Sequence, residues 1–119
     1  MKHFKKYYKL PFITYTPHDT WVHDQSDNFC FQFEDYDTVE LNAKILRVIN
    51  GHESFTKEDN QGDFAFKKGD IFDHNGNHVI TIRGWGNLTS PSCLNLSGLE
   101  AAEVQDSLGA YIVEQLNRR

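Results

Sequence analysis

Long apolar runs, paired cysteines and low-complexity tracts are what this 119-residue chain lacks. Without a stretch of about 20 apolar residues it offers no membrane-spanning helix. Two cysteines, Cys30 and Cys93, do not make a disulfide framework. A small stapled secreted fold is therefore excluded, and free thiols in a reducing, cytoplasmic setting are expected. No Gly-x-Gly-x-x-Gly or Walker-type loop is present, so the usual phosphate cradles are missing. Nor is there a Gly-x-Ser-x-Gly elbow for a nucleophile or a helical His-Glu-x-x-His pair for zinc. No internal repeat is evident in the residues, and the first 17 positions lack the uninterrupted apolar core of a signal peptide.

Positive charge is also scarce. Twelve Lys and Arg face seventeen Asp and Glu, a formal net charge of −5. The imbalance is local: residues 18–40 carry seven acids and no Lys or Arg. This excludes a nucleic-acid binder driven by a basic face. What the chain has instead is aromatic bulk, with nine Phe, five Tyr and two Trp, enough to build a core without metals or staples. One domain spanning residues 1–119 is expected.

The pattern of residues predicts an order of three strands, helix, three strands, helix. Tyr7–Tyr15, aromatic and β-branched but interrupted by Pro11, reads as an edge strand or two short ones. Trp21-Val22-His23 reads as a short strand. Phe29–Glu34 alternates strictly, which places Phe29, Phe31 and Phe33 on one face. A helix follows from Asp37 or Thr38, with Glu40 in a capping-box-like position, Leu41, Ile45, Val48 and Ile49 along one side, and Asn50-Gly51 as its stop.

Phe64-Ala65-Phe66 opens the second half, with Lys67-Lys68-Gly69 as a break. Asn75-Gly76, flanked by Ile71–His74 and Asn77–Arg83, is a hairpin signal that predicts a type I′ turn. In the second arm Ile80 and Ile82 share a face, opposite Val79 and Thr81. Ser97-Gly98-Leu99-Glu100 is a capping box for a last helix with Ala101, Val104, Leu108, Ile112 and Leu116 on one stripe. Gly109, unfavourable inside a helix, suggests close contact with the sheet. The simplest burial solution is an α+β fold: one antiparallel, at most mixed, sheet of five to six strands with both helices on one face.

Three groups of residues are candidates for function. The His18/Asp19/His23/Asp24 cluster has the donor chemistry of a divalent metal site, with His18, His23 and Asp24 as ligands, and would suit a small metal-dependent hydrolase. Trp85 with Arg83, joined by Trp21, has the residue types that dominate interface hot spots. Asp35, Asp37 and Glu40 form an acidic stretch that could dock on a basic partner. With catalytic signatures missing, the sequence favours a non-enzymatic interaction protein whose partner is another protein, acting as monomer or homodimer with no cofactor. Short, acidic, motif-free chains of this kind are often carried by phages and other mobile elements, an analogy of composition alone.

Overall fold

The computed structural model describes residues 3–34, 39–59, 62–82 and 98–118. Among them it forms one antiparallel sheet and two helices, an α+β fold. The strands are β1 (Trp21–His23), β2 (Phe29–Phe33), β3 (Ala65–Lys67), β4 (Asp70–Phe72) and β5 (His78–Thr81). Helix α1 spans Val39–Ile49 and α2 spans Gly98–Leu116. Across the sheet the order is β1-β2-β5-β4-β3, so β2 and β5 meet at its centre. No helix among the described residues is long and apolar enough to cross a membrane.

One continuous hydrophobic cluster holds these elements together. Val22, Phe31, Phe33, Ile71, Ile80 and Ile82 come from the sheet region, Ile45, Val48 and Ile49 from α1, and Val104, Leu108, Ile112 and Leu116 from α2. The stripe expected on α2 is fully buried. On α1, Leu41 departs from expectation and stays 39% exposed, at the open first turn of the helix. Gly109 has the expected close contact: a Cβ added there would overlap the ring of Phe66.

The N-terminal strand shrinks to a single bridge. Only Ile13 pairs, with His23, while Phe4–Lys6 forms a 3₁₀ turn and the Leu10–Pro11 peptide is cis. Pro11 has no N–H to donate, which limits pairing next to it. Phe4, Tyr8 and Phe12 instead fold over the core as buried rings.

The two halves of the chain repeat one another, contrary to the reading of the residues alone. The chain from Phe12 to Asn50 has the same plan as the chain from Phe64 to Asn117. In each, the asparagine at the helix end clamps the backbone of the phenylalanine that starts the unit. Phe12 N donates to Asn50 Oδ1 and Asn50 Nδ2 to Phe12 O, both at 2.8 Å. The Phe64–Asn117 clamp has the same two bonds, at 2.7 and 3.1 Å. The next residue then pairs with the end of the following strand: Ile13 with His23, Ala65 with Phe72.

The hairpins agree residue by residue. Trp21↔Gln32, Val22↔Phe31 and His23↔Phe29 in one correspond to Asp70↔Thr81, Ile71↔Ile80 and Phe72↔His78 in the other. Their loops, Asp24–Asn28 and Asp73–Asn77, have the same bonds: the first N–H donates to the last C=O, the fourth N–H to the first C=O. In both, the aspartate Oδ1 accepts the third and fifth N–H, and the asparagine amide donates to Oδ2. Each is a type I turn closed by one left-handed residue, Asp27 at φ +70° or Gly76 at φ +83°. The type I′ turn expected at Asn75-Gly76 is thus not formed there. It occurs at Lys68-Gly69, where φ is +50° and +87° and the expected break is the β3–β4 hairpin turn.

At the sheet centre, Gln32 of β2 faces Thr81 of β5, its own counterpart. Antiparallel pairing of equivalent residues puts a pseudo-twofold axis through that pair, and Ile13 outside β1 mirrors β3 outside β4.

Candidate functional site

Each hairpin contains a β-bulge just after its loop, and the bulges decide which side chains reach the sheet face turned away from the core. Side chains alternate along a strand, so one extra residue reverses the phase beyond it. In β2 the extra residue lies between Phe29 and Phe31, in β5 between His78 and Ile80. Cys30 and Phe31 therefore both enter the core, as do Val79 and Ile80. This corrects two expectations. Phe29 leaves the phenyl row for the outer face, packing on Trp21 (5.2 Å between ring centroids) and His23 (5.9 Å). Val79 joins the core instead of opposing Ile80, and His78 comes out beside Phe72, 5.2 Å between rings.

The outer face consequently has two unlike sides built on equivalent positions. On the first-half side Trp21, Phe29 and His23 are joined by Tyr15, stacked on His23 at 4.5 Å. Trp21 is 39% and Tyr15 56% exposed, large apolar surface left in water. The second-half side is polar. Thr81 Oγ1 donates to Glu34 Oε1 at 2.7 Å and lies 3.0 Å from His78 Nε2. The same Nε2 stands 3.1 Å from both Asp70 Oδ1 and the carbonyl of Ile80. Both of those are acceptors, so Nε2 carries the proton. His78 therefore cannot draw a proton from Thr81, whose own hydrogen goes to Glu34. That geometry is the reverse of a nucleophile–base pair. What it can do is hold two carboxylates in fixed positions, 36% exposed at Glu34 and 17% at Asp70.

The metal-type cluster is arranged for another task. Asp24 is 1% exposed, and its carboxylate accepts from Lys9 N at 2.6 Å, Ser26 N and Asn28 N at 2.9 Å and Asn28 Nδ2 at 3.3 Å. It ties the N-terminal segment to the hairpin loop. His18 is exposed on the turn before β1, and His23 lies between the rings of Tyr15 and Phe29. Among the described residues no three His, Cys, Asp or Glu side chains are grouped to hold a metal ion. Cys30 is buried as a free thiol.

Of the docking residues, Trp21 lies on the outer face and Glu40 is exposed on the first turn of α1. Arg83, Trp85, Asp35 and Asp37 lie outside the described residues. Glu34, Asp70, His78 and Thr81 were not singled out from sequence as a group. Strict alternation along Asn77–Arg83 puts His78 on the face of Ile80 and Ile82, turned inward.

A second polar feature borders α1. Lys44 bonds Asp59 at 2.8 Å and approaches Glu53 at 3.5 Å, while Arg47 Nε donates to Glu53 at 2.9 Å. The Lys44 bond, helped by Thr56, holds the Asp59 carboxyl down at about 2. The Arg47 bond likewise lowers Glu53, and the Asp59 bond raises Lys44.

Comparison of the chain with protein-family models, with curated proteins and with solved structures gives no match.

Proposed function

We propose that this protein is a cytoplasmic binding module with no chemistry of its own, and that it docks another protein across the outer face of its sheet. The observation that carries this reading is the split of that face into an exposed aromatic side and an acidic side. Trp21 and Tyr15 provide contact area, while Glu34 and Asp70 provide oriented acceptors. The combination fits a partner that presents Lys or Arg beside an apolar patch, because aromatic anchors give affinity and charge gives register and encounter rate. In the chain Glu34 is followed by Asp35, Asp37 and Glu40, whose negative charge would add to the attraction. Trp85 and Arg83, which follow β5 in the chain, have the residue types that dominate such contacts.

The test is retention of a partner from extract of the protein's own host by wild type, by Trp21→Ala/Asp70→Asn, and by the charge reversal Asp35→Lys/Asp37→Lys/Glu40→Lys. A species held by wild type, released by both variants and weakened by salt is expected. Equal retention by folded variants, judged by circular dichroism, would sink the proposal.

A further inference from the structure

The pseudo-twofold repeat exposes a difference between the halves that points to a small-molecule site, independent of the outer face. In the second half Phe66 of β3 lies against Gly109 of α2, its ring filling the space where the helix crosses the sheet edge. Counting from the matching clamps, Phe66 corresponds to Thr14 and Gly109 to Asn42. The first half thus has no ring at this place. Instead there is a crevice of about 230 Å³ lined by Thr14, Pro17, Asp19, Phe33, Asn42, Ala43, Leu46 and Arg47.

Its chemistry is specific. Phe33, Leu46, Ala43 and Pro17 make apolar walls. Asn42 forms part of one wall, with its Oδ1 buried out of reach of solvent. Asp19 uses Oδ1 to accept from Trp21 N at 2.9 Å, and its other oxygen is available for a cation. Arg47 donates to Glu53 through Nε, which leaves the terminal nitrogens of its fork for an anion. By volume the crevice holds on the order of eight waters, so a nucleotide or a cofactor of that size is excluded.

We infer that this crevice binds a free α-amino acid with an apolar side chain. Its carboxylate meets Arg47, its ammonium meets Asp19, and its side chain takes the place that Phe66 fills in the second half. Both charges are needed: a monocarboxylate leaves Asp19 without a cation, and a simple amine leaves Arg47 unused.

Titration followed by methyl and amide NMR tests this, with L-phenylalanine and L-leucine as probes and phenethylamine and hydrocinnamate as single-charge controls. Saturable shifts at Thr14, Ala43 and Leu46 are expected for the amino acids, with a dissociation constant of about 1 mM or tighter, as befits ligands of this size. Arg47→Gln and Asp19→Asn should each weaken binding about tenfold or more. Thr14→Phe/Asn42→Gly rebuilds the packing of the second half and should abolish binding while the protein stays folded. Were that variant unfolded, the two single substitutions still decide. No saturable shift, equal binding of the amine or the acid, or unchanged affinity in the single variants would overturn the inference.

Discussion

The two hairpin loops share a backbone and differ in what surrounds them. Asp24–Asn28 lies beneath the N-terminal segment. Lys9 N donates to Asp24, Gln25 N to Lys9 O, and Gln25 Nε2 to Pro11 O. Asp73–Asn77 has the same internal bonds but is exposed at the opposite end of the sheet. The same five-residue device is thus a structural joint in one half and a plain turn in the other. What decides is not the loop but the segment before the first unit, which bonds to that loop through Lys9 and Pro11.

That contrast can be broken at several levels. Deleting Cys30 or Val79 should do most, since losing a bulge residue reverses side-chain phase through the hairpin tip and drives Phe29 or His78 inward. Loss of cooperative urea unfolding and of near-ultraviolet circular dichroism is expected for either deletion. A retained sharp transition would mean the register can slip without harm.

Next is Asp24→Ala, which leaves several part-buried N–H groups without an acceptor at about 1–3 kcal/mol each. A total loss of about 3 kcal/mol or more is expected, against about 1 kcal/mol for Asp73→Ala, read from urea midpoints. Equal losses would show that the joint to Lys9 contributes nothing.

The left-handed position sharpens the comparison further. Gly76→Ala meets open space but must hold φ near +83°, so it should cost about 1 kcal/mol of backbone strain. Asp27→Gly relieves a milder strain in the twin loop and should stabilise by a few tenths of a kcal/mol, because Asp tolerates this region better than most residues. The opposite sign at either site would separate the two loops after all.

The smallest effect is electrostatic and lies away from both loops. Asp59 is held at about 2 instead of 3.8, so its contribution is fully present above pH 4 and fades as pH falls towards 2. Lys44→Met should flatten this part of the acid-unfolding curve, and added salt should shrink the difference, as for any exposed pair. An acid limb unchanged in Lys44→Met would remove the pair from the account.

Much of the architecture was legible in the residues. The strand and helix order after the N-terminal segment, the buried stripe of α2, the stop at Asn50-Gly51 and the need for a glycine at 109 all follow from periodicity and backbone preference. The stop is a Schellman ending, with His52 N bonded to Arg47 O and Gly51 N to Val48 O. The repeat was not legible, because few shared residues mark it: Phe12 and Phe64, Asp24 and Asp73, Asn28 and Asn77, Asn50 and Asn117. The aspartates and asparagines act on backbone, so they leave no hydrophobic signature. The bulges were hidden for a related reason. Phe29-Cys30-Phe31 alternates well on paper, and no local preference says that two neighbours will face the same way. The outer-face group of Glu34, Asp70, His78 and Thr81 inherits that difficulty, since it exists only after the phase of β5 has been reversed.

The bulges also determine where this protein can change. His78 stands beside a core pair in the chain, yet its half-buried side chain reaches the outer face, so replacing it alters what the molecule presents with little cost to its interior. Phe29, its twin, is instead buried against Trp21 and His23 and supports that face from beneath. Together they give a symmetric framework one adjustable contact and one buried support, on either side of the Gln32–Thr81 axis. A new partner preference could be written at position 78 without rebuilding the fold beneath.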